Sequence, residues 1–181
     1  MNKNQKKQNL SWIAHKLIVK KILANEFGVF AKKNIKKDDL LMIFGGHIMS
    51  RDEERNLPEK IRDAAIQIDK NFVIGAKNLN EISNTDYVNH SCKPNAYIQG
   101  QISLYALRDI KKNEEITFDY GTVLFGNKKN PTYKIHCYCN TKNCRNYITD
   151  HDWKMPEFQK KYKNKLPFYI VNEIKKLKNS I

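Results

Sequence analysis

The C-x-C-x₄-C array Cys137-Tyr-Cys139-Asn-Thr-Lys-Asn-Cys144 constrains this chain more than any other feature of its sequence. A C-x-C pair sets two thiolates beside one centre and a short polar loop brings back a third, whereas zinc takes four ligands in a tetrahedron. The remaining cysteine, Cys92, lies far upstream in a polar segment. If Cys92 closes the site, a metal staples the carboxyl-terminal part of the chain onto its middle. Disulfides and free buried thiols are the alternatives; a reducing compartment disfavours the first, and the second needs no such spacing. His136, next to Cys137, is a substitute ligand ranked below Cys92.

The segment around Cys92 has its own pattern. Asp86 to Tyr120 begins D-Y-V-N-H-S-C-K-P-N and ends E-E-I-T-F-D-Y. Between these ends, Ala96-Tyr-Ile-Gln and Ile102-Ser-Leu-Tyr-Ala-Leu alternate apolar with polar around Gly100-Gln101, which predicts two strands joined by a tight turn. Asn89 and His90 are compact groups able to satisfy buried backbone or hold a ligand, and Pro94 fixes an extended path after Lys93.

Upstream, the chain reads as short strands between charged turns: Lys16 to Leu23, Gly28-Val-Phe-Ala, Leu40 to Phe44, then Ala65-Ile-Gln-Ile and Phe72-Val-Ile-Gly about Asp69-Lys70-Asn71. Ser50 with Glu53 three residues on predicts a capped short helix that Pro58 ends. The expected architecture is mostly β with few, short helices, then two amphipathic helices after Pro156 and Pro167 as a carboxyl-terminal cap. Phe158 and Tyr162 share a face of the first. No run reaches membrane-spanning length, and His15 and Lys16 interrupt the apolar stretch that could mimic a signal peptide. The expectation is an intracellular protein, cytoplasmic or nuclear, with no membrane contact.

The formal charge of +14 surrounds the chain with a positive field. The cations are nearly all Lys, and Arg51, Arg55, Arg62, Arg108 and Arg145 form no cluster in the sequence. That allows non-specific nucleic-acid contact but not base reading, for which arginine is the usual side chain.

N-H-S-C-K-P-N at 89–95, E-E-I-T-F-D-Y-G at 114–121 and C-x-C-x₄-C at 137–144, in that order, resemble the SET-domain protein-lysine methyltransferases with a post-SET zinc segment. The resemblance covers roughly Lys16 to Ile148. It implies a β-rich fold with pseudoknot-like threading, in which the second motif passes through a loop to lie beside the first. It also implies S-adenosylmethionine on one face and a protein lysine, of a histone or another protein, entering a narrow channel from the other. On this basis residues 1–10 are a disordered basic tail, 11–128 the SET domain, 129–150 the zinc segment and 151–181 a helical extension.

Residue by residue, the resemblance makes Tyr120 the transfer-centre tyrosine and gives cofactor contacts to Gly28, Val29, Phe30, Tyr87, Asn89 and His90. It puts Phe44, Phe118 and Tyr120 around the lysine channel and Zn²⁺ on Cys92, Cys137, Cys139 and Cys144. Three positions depart from the family pattern. Glu26 replaces the first glycine of a G-x-G, Asn113 replaces a glycine before E-E, and Asp86 replaces an arginine. Asn25 and Asn113 would supply the left-handed backbone those glycines provide, since Asn tolerates positive φ. Phenylalanine at both 44 and 118, where hydroxyl-bearing rings are common, implies a roomier pocket and di- or trimethylation. Tyr147 and Trp153 are candidates to cover the cofactor or border the channel. The alternative is a non-catalytic, zinc-stapled binding module of the same fold, which would have no need of Tyr120.

Overall fold

A computed structural model of the chain describes residues 9–24, 26–126 and 133–179. Most of the expected tail, and Asn25, lie outside them. The strands are short because charged turns interrupt every apolar run. In chain order they are β1 (Trp12–Ile13), β2 (Leu17–Leu23), β3 (Glu26–Ala31), β4 (Leu40–Ile43) and β5 (His47–Ser50). Helices α1 (Arg51–Arg55) and α2 (Glu59–Arg62) come next, then β6 (Ile66–Gln67), β7 (Phe72–Gly75), β8 (Asn89–His90), β9 (Ala96–Gln99), β10 (Ser103–Ala106) and β11 (Glu115–Phe118). The ribbon β12 (Lys134–His136) and β13 (Tyr147–Thr149) precedes α3 (Pro156–Lys161) and α4 (Phe168–Asn179).

Two four-stranded sheets, β1-β4-β10-β9 and β2-β3-β11-β8, enclose the main core, and β5-β7-β6 forms a separate three-stranded sheet. Val29, Met42, Ile98, Leu104 and Ile116 are fully buried in that core. The predicted hairpin pairs Ala96–Gln99 with Ser103–Ala106 in antiparallel register, turning through Gly100 at φ +68°. A second cluster holds Phe125, Trp153, Phe158, Tyr162, Tyr169 and Ile170, so the terminal helices cap the β body by packing aromatic rings. No helix among the described residues is long and apolar enough to cross a membrane.

Two sequence expectations need correction. The Ser50 capping box is present, with Glu53 N–H donating to Ser50 Oγ at 3.2 Å and Ser50 N–H to Glu53 Oε2 at 2.8 Å, but Pro58 does not end α1. The helix stops at Asn56, and Pro58 opens α2, its carbonyl accepting from Ile61 and Arg62 N–H at 2.9 and 3.0 Å. Proline suits that place because no helical N–H is needed there. The arginines also come nearer than the sequence suggested: Arg51, Arg55 and Arg62 all line one cavity.

Asn113 does adopt the left-handed conformation, φ +69°, and its N–H donates to Ala31 O at 2.8 Å. The turn thereby locks β11 to the end of β3. An alanine there would carry the full left-handed penalty, so Asn113→Ala should destabilise the chain by about 1 kcal/mol while Asn113→Gly is neutral or stabilising. Guanidinium denaturation midpoints of the two variants check this.

Candidate active site

The site rests on one parallel strand pair. Asn89 and His90 of β8 lie beside Thr117 and Phe118 of β11. Two-residue β8 cannot hold this register alone, and Asn95 completes it. Its buried side chain accepts from Thr117 N–H at 2.9 Å and donates to Glu115 O at 2.7 Å, substituting for a strand neighbour. Ser91 N–H adds a bond to Phe118 O at 3.1 Å. The sequence reading gave Asn95 no role, although a buried amide able to both donate and accept is what an interrupted ladder needs.

Tyr120 follows directly. Its backbone N–H donates to His90 Nδ1 at 3.1 Å and its hydroxyl donates to Val88 O at 2.8 Å, which fixes the ring at both ends. The ring meets Phe118 at 4.9 Å between centroids and the edge of His90 at 5.3 Å. Burial, with Glu115 adding, pushes the phenol above its ordinary range, so Tyr120 stays protonated and acts as a donor. Phe44 stands 6.1 Å from Phe118. These rings and Val88 form the apolar end of a cavity of about 690 Å³, whose other walls include Arg55, Arg62, Asp63 and Asp86. Arg51 is neutralised in the wall by Glu54 at 2.8 Å, while Arg62 faces Asp63 at 3.7 Å. Asp86 receives Ser83 N–H at 2.8 Å and so caps its own turn.

On the other side of β8, Asn89 Nδ2 donates to Phe27 O at 3.0 Å and Glu115 Oε1 at 2.8 Å. Gly28 is packed into this corner. A Cβ there would stand 2.5 Å from Glu115 Oε1 and 3.2 Å from Asn89 Nδ2, so a larger residue would displace the Glu115 side chain from this corner. Tyr87 is half-buried with its ring 5.2 Å from exposed Phe27. Val29 points into the core, leaving only its backbone for the corner, and half-buried Phe30 pairs with Glu115. Trp153 lies away from both faces, stacked on Phe125 at 5.5 Å with its indole N–H on Asp150 O at 2.8 Å. Tyr147 is 43% exposed on the ribbon.

Three of the four cysteines converge, and His90 rather than Cys144 completes the group. A ring nitrogen of His90 and the sulfurs of Cys92, Cys137 and Cys139 all lie within 4.8 Å of one another. Cys92 Sγ is 3.7 Å from Cys137 Sγ and 3.4 Å from His90 Nε2. Cys144 packs against the same cluster, its Sγ 3.8 Å from Cys137 O. Burial pushes the Cys92 and Cys137 thiols up; Cys139 is pushed up by burial too, but Thr141 and backbone donors outweigh this and bring it down to about 6.

Asp119 ties the two halves of the site together. It is fully buried, receives Arg145 Nη1 and Nη2 at 2.8 and 2.6 Å, and accepts Tyr162 O–H at 2.7 Å. Burial alone would raise its carboxyl, but the Arg145 guanidinium holds it below the usual range. Arg145 also meets Asp152 at 3.0 Å, and Lys161 Nζ donates to Cys92 O at 2.6 Å. One carboxylate therefore joins β11, the cysteine segment and α3. Removing its charge leaves the half-buried Arg145 with Asp152 as its remaining carboxylate partner. Asp119→Asn should cost about 3–5 kcal/mol, against about 1.5–3 kcal/mol for Tyr162→Phe, both read from denaturant unfolding.

The SET domain profile matches residues 26–121. The H3 lysine-4 specific histone-lysine N-methyltransferase of Chaetomium globosum is 34% identical over 68% of this chain and 12% of its own length. The variant-silencing SET domain-containing protein of Plasmodium falciparum is 32% identical over 72% of this chain and 6% of its own. The chain thus spans a small fraction of the curated relatives it matches. Among solved structures, Arabidopsis thaliana SUVH6 in complex with SAM superposes with a TM-score of 0.61 at 19% identity, covering 75% of this chain and 33% of that one. The methyltransferase domain of human SETMAR gives 0.58 at 18% identity, over 75% of this chain and 58% of that one. A profile spanning more than half of the chain, and the β8–β11 pairing that sets its two motifs side by side, lead to one conclusion: this chain belongs to the SET-domain family.

Proposed function

We propose that this chain transfers a methyl group from S-adenosylmethionine to the side-chain amine of a lysine in a protein substrate. The observation that carries the reading is Tyr120, held at both ends where an aromatic-walled cavity meets the Asn89–His90 strand. The corner at Gly28 fits the cofactor. Gly28 leaves backbone uncovered beside the Asn89 and Glu115 side chains, and the Phe27–Tyr87 pair next to it offers apolar surface to a purine. S-adenosylmethionine supplies an electrophilic methyl on a sulfonium.

The chain's task is to present a neutral amine in line with that methyl. A free lysine, with a pKa of about 10.4, is only about 0.1% neutral at physiological pH. The Phe44, Val88 and Phe118 walls exclude water and disfavour the ammonium. The Tyr120 hydroxyl, already donating to Val88 O, keeps lone pairs to accept an amine N–H and so aims the nitrogen lone pair. Orientation, not strong base catalysis, is its contribution. Neither Phe44 nor Phe118 offers a hydroxyl to hold a water against the amine, which leaves room for a methylated lysine. Di- or trimethylation follows, with a histone as one candidate substrate in keeping with the names of the relatives. This reading places the chain inside cells, where its thiols stay reduced.

Zinc fits the thiol cluster, since three or four sulfurs with a neighbouring imidazole are a common structural donor set. We assign the four ligands to Cys92, Cys137, Cys139 and Cys144. His90 is the competitor, but its Nδ1 accepts from Tyr120 N–H, and burial lowers its pKa to about 4. The single proton of the neutral ring therefore sits on Nε2, facing Cys92 Sγ at 3.4 Å. There it donates to the thiolate and orients it, as outer groups of metal sites do.

Two measurements test these assignments. Incubation with labelled S-adenosylmethionine and core histones should label a protein band. Tyr120→Phe should lower the rate by at least about 10²-fold with cofactor binding intact, and Phe118→Tyr should shift the product toward monomethyl in mass spectrometry. No label with any protein, despite cofactor binding, would favour the binding-module reading. For the metal, Cys144→Ala should lose zinc in elemental analysis, while His90→Ala should retain stoichiometric zinc that a chelator removes faster. The reverse pattern would make His90 the ligand.

A further inference from the structure

The cavity at Tyr120 is fastened on one side by groups that take no part in the transfer itself. Gln67, at the end of β6, is buried, and its amide pairs with the Phe125 backbone as a strand neighbour would. Nε2 donates to Phe125 O at 3.1 Å, and Phe125 N–H donates to Oε1 at 2.9 Å. Nε2 also reaches Asp69 O at 2.9 Å, and Arg51 Nη1 donates to Oε1 at 2.9 Å. Tyr169 of α4 joins the same two segments by a second route. It is 4% exposed, and its hydroxyl reaches two carbonyls, Gln67 O at 3.1 Å and Val123 O. Burial, with Asp69 adding, pushes the phenol above its ordinary range, so its one proton stays in place and is shared between the two acceptors. Val123 and Leu124 in turn donate their N–H groups to Tyr120 O at 3.1 and 3.2 Å. Gln67 and Val123 both line the cavity, whereas Tyr169 does not line it and lies beyond residues 26–121 that the SET domain profile matches.

We propose that Tyr169 is a positioning residue for the lysine cavity, its shared proton coupling the wall at Gln67 to the turn that carries Tyr120. The inference rests on the methyl-transfer reading, because the cavity is where the amine would be aimed. A tyrosine packed with Phe125, Trp153 and Ile170 needs only one acceptor for its hydroxyl. Here there are two, and they belong to different segments: Gln67 to the β5-β7-β6 sheet and Val123 to the chain just after Tyr120. If those segments drift apart, the Tyr120 ring loses its aim, and a misplacement of about 1 Å can cost about a hundredfold in rate. The cofactor corner at Gly28 is built from β2, β3, β8 and β11 instead, so cofactor affinity should not respond.

The test compares wild type with Tyr169→Phe, which keeps the ring and removes only the shared proton, and with Phe168→Ala, a control at a side chain 65% exposed on the same helix. With labelled S-adenosylmethionine and core histones, Tyr169→Phe should lower kcat about tenfold, leaving the cofactor Kd by calorimetry unchanged and Phe168→Ala at the wild-type rate. Hydrogen exchange followed by NMR, without cofactor or substrate, should quicken about tenfold at the Val123, Leu124 and Phe125 amides of Tyr169→Phe, while Leu104 in β10 keeps its wild-type rate. Gln67→Met breaks the same linkage from the other end. It serves if Tyr169→Phe loses its fold; otherwise the double variant should be no slower than the slower single one. Wild-type kcat in Tyr169→Phe, or fully additive losses in the double variant, overturns the proposal. So does faster exchange spread evenly over Leu104 and the turn, which would make the hydroxyl a matter of overall stability alone. Wild type that binds cofactor yet labels no protein overturns the methyl-transfer reading instead, and unchanged exchange at Val123, Leu124 and Phe125 overturns the linkage whatever the activity.

Discussion

The pair formed by buried Asp119 and half-buried Arg145 ties together segments of the chain that are far apart in the sequence. A carboxylate with no exposed surface is costly unless its oxygens are filled, and here two guanidinium N–H groups, the Tyr162 hydroxyl and Gly121 N–H fill them. Each donor comes from a different part of the chain or a different turn of it. Arg145 follows the last cysteine and Tyr162 ends α3. Desolvation therefore acts as a registration device, since any slip that separates one partner strands a charge in the interior. The geometry of Tyr120, one residue on from Asp119, inherits that rigidity.

The second dependence is backbone satisfaction. β8 is two residues long, and a strand that short beside a parallel neighbour leaves much of β11 without a ladder. Asn95 makes up the shortfall with side-chain groups, and the same segment carries Cys92 to the thiol cluster and His90 to Tyr120. Backbone repair, metal-competent donors and the proposed transfer tyrosine are thus one connected unit. The proposed assignment of zinc to four sulfurs follows from the same connection, because the bond that fixes Tyr120 also fixes the tautomer of His90.

The extension after the cysteine segment also belongs to that unit. Phe158 stands beneath the Arg145 guanidinium at 5.4 Å and Lys161 reaches Cys92 O, so α3 clamps the cysteine segment from outside while its aromatic residues bury against Phe125 and Trp153. Trp153 is consumed by that packing, which is why it reaches neither face of the site.

Much of this was legible in the sequence. The alternation around Gly100, the Ser50–Glu53 box and the left-handed demand at Asn113 are local preferences, set by dihedral sterics and side-chain period, and they appear where the residues put them. The cysteine spacing pointed to one centre, and Cys92, Cys137 and Cys139 do meet, but with His90 beside them where the sequence reading put Cys144. Other features were invisible because they depend on distance through space. That Arg51, Arg55 and Arg62 line one cavity depends on where α1 and α2 are placed, and Pro58 could be read as a stop or a start until the chain around it was placed. Arg145 stood in the sequence as an arginine outside any cluster, and Asn95 had no assigned role. Only tertiary structure decided that one neutralises a buried carboxylate and the other completes a strand, because burial, which turns a polar side chain into an obligation, is a property of the fold and not of the residue.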